Sequence, residues 1–244
     1  MREDLNSLLR RTRIVSGFIL FLYATTHLLN HSLATFSIST ADATREYFIA
    51  FWRNPIAEIL LFASFALHIL LGIQAVLRRK SFKMTKREWL QITFPFVALL
   101  ALIPHVLTSA ILARVFDVAD NYELIFAATL VDPSKASSNV IFFSLMVMLI
   151  WTHGVIGIHG LLHTKPMYAR LRQVIIGFYW TVPVLALVGF FAGLKEMSFM
   201  TYAHSQLHED YYMMMLLMKA IPQEAFPVAM ICLLYTSDAA DELS

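Results

Sequence analysis

Residues 14–35 read IVSGFILFLYATTHLLNHSLAT, an apolar run with no formal charge and two histidines. A helix rises about 1.5 Å per residue, so a run of this length crosses a hydrocarbon core of roughly 30 Å. Four more stretches are long enough to do the same: Pro55–Leu77, Trp89–Leu112, Val140–Leu162 and Val174–Leu194. A sixth begins near Pro222 and runs to Ile231. The expected fold class is therefore all-α: a polytopic transmembrane helical bundle with five complete spans and a truncated sixth. Composition agrees, with 58% apolar residues, 15% charged and a mean hydropathy of +0.64. A soluble domain carries about 25% charged residues, so the deficit points to lipid as solvent. The few glycines and the lone cysteine exclude collagen and disulfide-scaffold classes. A net charge of +2 is too weak to indicate nucleic acid. The first apolar segment is too long for a cleavable signal peptide and lacks a small-residue cleavage site.

The connections differ in charge. Arg2, Arg10, Arg11 and Arg13, then Arg78, Arg79, Lys80, Lys83, Lys86 and Arg87, then Lys165, Arg170 and Arg172 put thirteen basic residues on one side. The other side has six: Arg45, Arg53, Arg114, Lys135, Lys195 and Lys219. The positive-inside rule places the first group, and the N-terminus, in the cytoplasm. The outer connections 36–54, 113–139 and 195–221 are richer in acids and aromatics, Asp117, Asp120, Glu123 and Asp132 among them. They are expected to be solvated or interfacial loops, with room for short helices on the membrane surface.

Ionisable side chains inside membrane spans are costly and mark functional sites. His27, His31, His68, His105 and His153 lie within spans, and His159 and His163 nearer the cytoplasmic end of the fourth. His204 and His208 fall in the last outer loop and read as surface residues. A lone buried histidine is more often a hydrogen-bonded core residue than a ligand, but here every one of the first four spans carries at least one. Neutral imidazole is a good axial ligand for haem iron, and facing helices of a bundle can each offer one. Zinc usually takes three or four converging ligands with Cys or carboxylate among them, and no such acid lies at these depths. Two bis-histidine haems fit better.

Depth suggests the pairing. Counted along the helices, His27 lies about 21 Å from Arg13 and His105 about 24 Å from Trp89. His68 lies about 15 Å from Arg78 and His153 about 18 Å from Lys165. The first and third spans thus offer an outer pair, the second and fourth an inner pair. Depth alone does not choose between His27 and His31, or between His153 and His159. Gly72 and Gly157 each follow a histidine, His68 and His153, by four residues, hence on the same helical face. A missing side chain there leaves room for a flat macrocycle, although small residues also serve simple helix packing.

Arg10-Arg11-Thr-Arg13, Ser16-Gly17, Thr26-His27-Leu-Leu-Asn-His31, Leu67-His68-Ile-Leu-Leu-Gly72, Pro104-His105-Val and Trp151-Thr-His153-Gly occur in that order. They resemble the dihaem cytochrome b subunits of succinate:quinone oxidoreductases. Phe51-Trp-Arg-Asn-Pro55, Arg78-Arg-Lys80, Asp117-Val-Ala-Asp120-Asn-Tyr122, Val131-Asp-Pro133 and the run from Trp151 to His159 resemble more closely the membrane anchors of certain bacterial class III adenylate cyclases. The resemblance covers nearly all of residues 10–231. It implies a six-span, succinate dehydrogenase cytochrome b-like fold holding two haem b, the outer on His27 and His105 and the inner on His68 and His153. His31 and His159 become candidates for supporting the ligands or contacting quinone. It further implies quinone as redox ligand, then a 2Fe-2S ferredoxin-like domain and a cyclase domain in cis, dimerising through the cyclase. This chain carries neither cluster cysteines nor catalytic carboxylates, so it is expected to be non-catalytic or to transfer electrons only.

Two other readings compete. The chain could be the anchor subunit of a succinate dehydrogenase or fumarate reductase, passing electrons to or from quinone. It could also be a helical transporter without haem. Residues 232–244, CLLYTSDAADELS, break off the sixth span and resemble the translation of a transposase-type sequencing adapter. On that reading the native anchor comprises residues 1–231 and continues beyond Ile231, and Cys232 is not native.

Overall fold

In lipid every backbone N–H and C=O must find a partner within the chain, and a helix does this with local hydrogen bonds alone. The computed structural model describes residues 2–81, 83–107, 109, 115–130 and 133–199, and among these it contains helices and no strand. In chain order they are α1 (Arg2–Ser32), continued by a 3-10 turn (Leu33–Thr35), α2 (Ile38–Trp52), α3 (Pro55–Leu77), α4 (Lys86–Val106), α5 (Tyr122–Leu130), α6 (Pro133–Leu162) and α7 (Tyr168–Phe199). Five of them, α1, α3, α4, α6 and α7, are long and apolar enough to cross a membrane. Their outer faces agree with this: Ile56 and Ile59 on α3 are 79% and 70% exposed, apolar surface that water would disfavour and acyl chains would cover. The chain is a multi-pass membrane protein.

The helices outrun the apolar stretches. Both α1 and α6 start well before Ile14 and Val140, because hydropathy marks the part that sits in hydrocarbon while the hydrogen-bond ladder runs on until a cap stops it. The caps are local and legible. Asn54 Oδ1 accepts from Ile56 N at 3.1 Å, with Pro55 in the first turn of α3. Thr85 and Glu88 form a reciprocal capping box at the start of α4. The expected third span reaches Leu112, but residues 110–112 lie outside the described residues. So do Arg114, Asp132, His204, His208, Lys219, the sixth span Pro222–Ile231 and the tail 232–244.

The connections 36–54 and 113–139 are more than solvated loops. They supply α2 and α5, which pack into a core of Ala34, Ile38, Ala41, Tyr122, Phe126, Phe190, Leu194 and Met197. Ala41 and Leu124 are fully buried. Polar tethers hold this cap in place: Ile38 N donates to Glu196 Oε2 of α7 at 2.9 Å, and Tyr122 N donates to Asp42 Oδ1 of α2 at 2.8 Å. Acids that read as loop solvation are spent on helix N-termini, whose first N–H groups have no partner within the helix. Asp117, at φ 53°, turns the chain ahead of α5; a short polar side chain tolerates that left-handed conformation better than most.

Among the membrane helices, α1 packs along α3 on one side and α7 on the other, and α4 packs along α6. Trp151 of α6 is buried at the centre, stacked on Phe21 of α1 with ring centres 5.1 Å apart, and donates from Nε1 to Tyr179 O of α7 at 2.8 Å. Among the described residues, α1 approaches α4, and α3 approaches α6, much less closely than the packed pairs do. The bundle thus presents two tight pairs, α1/α3 and α4/α6, with a looser seam between them.

Candidate functional site

The histidines line that seam. His68 of α3 faces His153 of α6 with ring centres 6.0 Å apart and planes at 75°. His27 of α1 faces His105 of α4 at 6.2 Å and 49°. Both separations join the two tight helix pairs across the loose seam. A metal ion held by two imidazoles, with bonds of about 2.0 Å to each nitrogen and the ring centres roughly 1 Å behind, needs ring centres about 6 Å apart. Histidines in direct contact or merely sharing a core need no such spacing.

The pair nearer the arginine-rich end has its proton positions fixed by its neighbours. His68 Nδ1 lies 3.1 Å from Arg13 O and 3.3 Å from Ser16 Oγ. Ser16 Oγ donates to the same Arg13 O at 3.1 Å, and so accepts from the imidazole. His153 Nδ1 lies 3.0 Å from Gln91 O. A carbonyl oxygen can only accept, so both neutral rings carry their proton on Nδ1 and keep the lone pair on Nε2. That is the usual disposition of a metal-ligating histidine, oriented and made more basic by a carbonyl behind it. Local sequence builds the seat: a Cβ on Gly17 would lie 2.7 Å from His68 Cε1, so only glycine lets the ring lie against α1. Ser16, 3% exposed, completes it. Neither residue was assigned a role by sequence reasoning. Their signal was present, as a Ser-Gly step one turn above Arg13, but its target on α3 was not.

The second pair is arranged differently. His31 Nε2 lies 3.1 Å from His27 Nε2, and the two rings stand edge to face with centres 4.6 Å apart. His31 thus joins the His27–His105 pair, and a metal taking the His27 Nε2 lone pair would displace this contact. Tyr122 closes the far side, 5.0 Å from the His31 ring, and burial holds its phenol above the ordinary value. Burial likewise raises the Asp42 carboxyl, against the pull of the Tyr122 and Glu123 backbone N–H groups it accepts from.

The remaining expected residues divide. Around Gly72 an added Cβ would meet nothing within 4 Å, so that face is open, as room for a macrocycle requires. At Gly157 the Gln91 Nε2 stands 3.4 Å from the same construction, in ordinary contact. Gln91 Oε1 is buried without a hydrogen-bond partner, an orphaned polar atom on the helix whose carbonyl orients His153. His159 is not brought to either pair. Its Nδ1 meets Tyr168 Oη at 2.7 Å and its ring stacks on His163 at 5.4 Å, at the arginine-rich end.

No protein-family description, curated protein or solved structure matches this chain.

Proposed function

We propose that this protein is a membrane anchor holding two b-type haems, one between His68 and His153 and one between His27 and His105, in a succinate dehydrogenase cytochrome b-like bundle. The observation that carries the reading is the pair of facing imidazoles on opposite halves of the bundle, 6.0 and 6.2 Å apart, one pair with both Nδ1–H groups committed to carbonyls. Bound haem supplies one-electron chemistry at iron. The chain's own part is to present Nε2 lone pairs at fixed positions, to exclude water with apolar helix faces, and to tune the ligands through hydrogen bonds behind them. Arg13 O, Ser16 Oγ and Gln91 O do this at the first pair. At the second pair His31 meets His27 at Nε2, the ligating nitrogen itself, so it lies beside the metal position and not behind the ligand. His159 with Tyr168 lies at the arginine-rich end and is the candidate for quinone contact.

On this reading the arginine-rich end is cytoplasmic, the membrane is a bacterial inner membrane, and the redox state of quinone sets the electron occupancy of the pairs. The motif resemblance extends the proposal to regulation of a cyclase domain that follows the anchor. Passage of electrons to a docked flavoprotein is the alternative, distinguished by reading the gene past codon 231. The test of the haem reading is a pyridine haemochrome assay on the purified chain. Two haem b per polypeptide are expected, falling to about one in His68→Ala or His153→Ala. A chain without b haem, or both variants retaining two, overturns it.

A further inference from the structure

Opposite the arginine-rich end, three charged side chains meet beneath the α2 cap. Asp120 receives the Arg45 guanidinium at 2.8 Å and also that of Arg53. Arg45 and Asp120 are each 15% exposed and Arg53 32%, whereas Glu46, 3.6 Å from Arg45, is 74% exposed and mostly spends its charge on solvent. Asp42 also feels the charge of Arg45, so nearby acids match the guanidinium groups, with Asp120 touching both in a largely desolvated place.

The cluster adjoins the His27–His105 pair. Arg45, Phe48 and Trp52 share one face of α2, at helical spacing. Phe48 lies against the His27 ring at 5.7 Å, and Trp52 Nε1 donates to Thr26 Oγ1, next to His27, at 3.1 Å. Arg53 follows Trp52, and Asp120 precedes Tyr122, which covers His31. The face that shields the imidazoles therefore carries the Arg45 guanidinium to the edge of the seam, and Arg53 joins it from the C-terminal end of α2.

Resting on the haem reading above, we propose that Arg45 and Arg53 form the carboxylate-binding site for the haem held at the His27–His105 pair. Its ligand class is a planar tetrapyrrole bearing free carboxylates at its edge, and Asp120 shows that one carboxylate can reach both guanidinium groups. A guanidinium fork pairs with carboxylate through two parallel hydrogen bonds, which an ester cannot reproduce. Two cations then answer the propionates while Asp120 keeps the pair from repelling itself.

The test compares haem b with its dimethyl ester, titrated into the haem-depleted full chain carrying His68→Ala, so that binding reports the second pair alone. Haem b is expected to bind at least about tenfold more tightly than the diester. The preference should fall towards unity in the added Arg45→Gln/Arg53→Gln double variant. Asp120→Asn should retain it, because it removes a competing carboxylate. Equal affinity for both porphyrins in the unaltered second site overturns the proposal, and leaves the arginines as structural partners of Asp120. Failure of the four-histidine chain to take up either porphyrin refutes the haem reading itself, a result distinct from equal uptake. Where the double variant does not fold, the two-porphyrin comparison on the unaltered arginines decides the matter.

Discussion

The decisive atoms at the residue scale are those behind the imidazoles. Two acceptors, Arg13 O and Ser16 Oγ, share the His68 Nδ1–H, whereas His153 has the single Gln91 O. Acceptors on Nδ1–H increase electron density at Nε2 and favour the more positive state of a bound metal. On the proposed haem reading, removing the serine hydroxyl in Ser16→Ala should therefore raise the midpoint potential at the first pair while haem content stays at two. Gly17→Ala tests position instead of electronics. Its methyl would strike an imidazole already pinned by two acceptors, so haem content should drop to about one per chain. A potentiometric titration followed at the haem α-band reads both. Unchanged potential and content in both variants would sink the idea of a built seat. Histidine content and span membership were legible from sequence at this scale. The Ser16-Gly17 seat was not, because its partner lies fifty-two positions away on another helix.

Among elements, the outer connections, expected to be loops with room for short helices, contain α2 and α5. Ser37 caps α2, accepting from Thr40 N at 3.0 Å, and Glu196 of α7 satisfies the Ile38 N–H. Capping signals are local and a sequence can show them; that the acid comes from α7 is a long-range fact it cannot. At Gly189, α1 and α7 approach backbone to backbone. A Cβ on Gly189 would collide with the backbone at His31 O and stand 2.8 Å from Ser32 Cα. Backbone has no rotamer to give way, so Gly189→Ala should force the helices apart at a cost of about 1–3 kcal/mol. A lower midpoint of thermal unfolding in detergent is the expected result. An unchanged midpoint would mean that the crossing yields. Since α1 carries His27 and His31, the same variant should disturb the second pair before the first.

Across the whole molecule, the five spans follow from hydropathy alone, and the described helices agree with them to within their ends. Orientation rests on charge: thirteen basic residues on one side against six on the other. Single cysteines placed near residues 80 and 165 should react with a membrane-impermeant thiol reagent only after the cells are opened. Cysteines near residues 45 and 120 should react in cells whose outer layer is permeable. The reverse pattern would invert the protein and every assignment of inner and outer site.

The sequence by itself determined that the chain is helical, that it crosses a membrane, and where four spans carry histidine, because hydrophobic length and charge placement are properties of consecutive residues. Its depth arithmetic also suggested the two pairs later found 6.0 and 6.2 Å apart. Only the tertiary structure decided which atoms stand behind the His68 and His153 imidazoles, that His31 joins the second pair while His159 joins neither, and that Arg45, Arg53 and Asp120 meet beneath a cap made by the outer connections. Those outcomes depend on rotation and close approach between helices distant in the chain. A one-dimensional pattern records depth along each helix but not the angle at which it faces its neighbours.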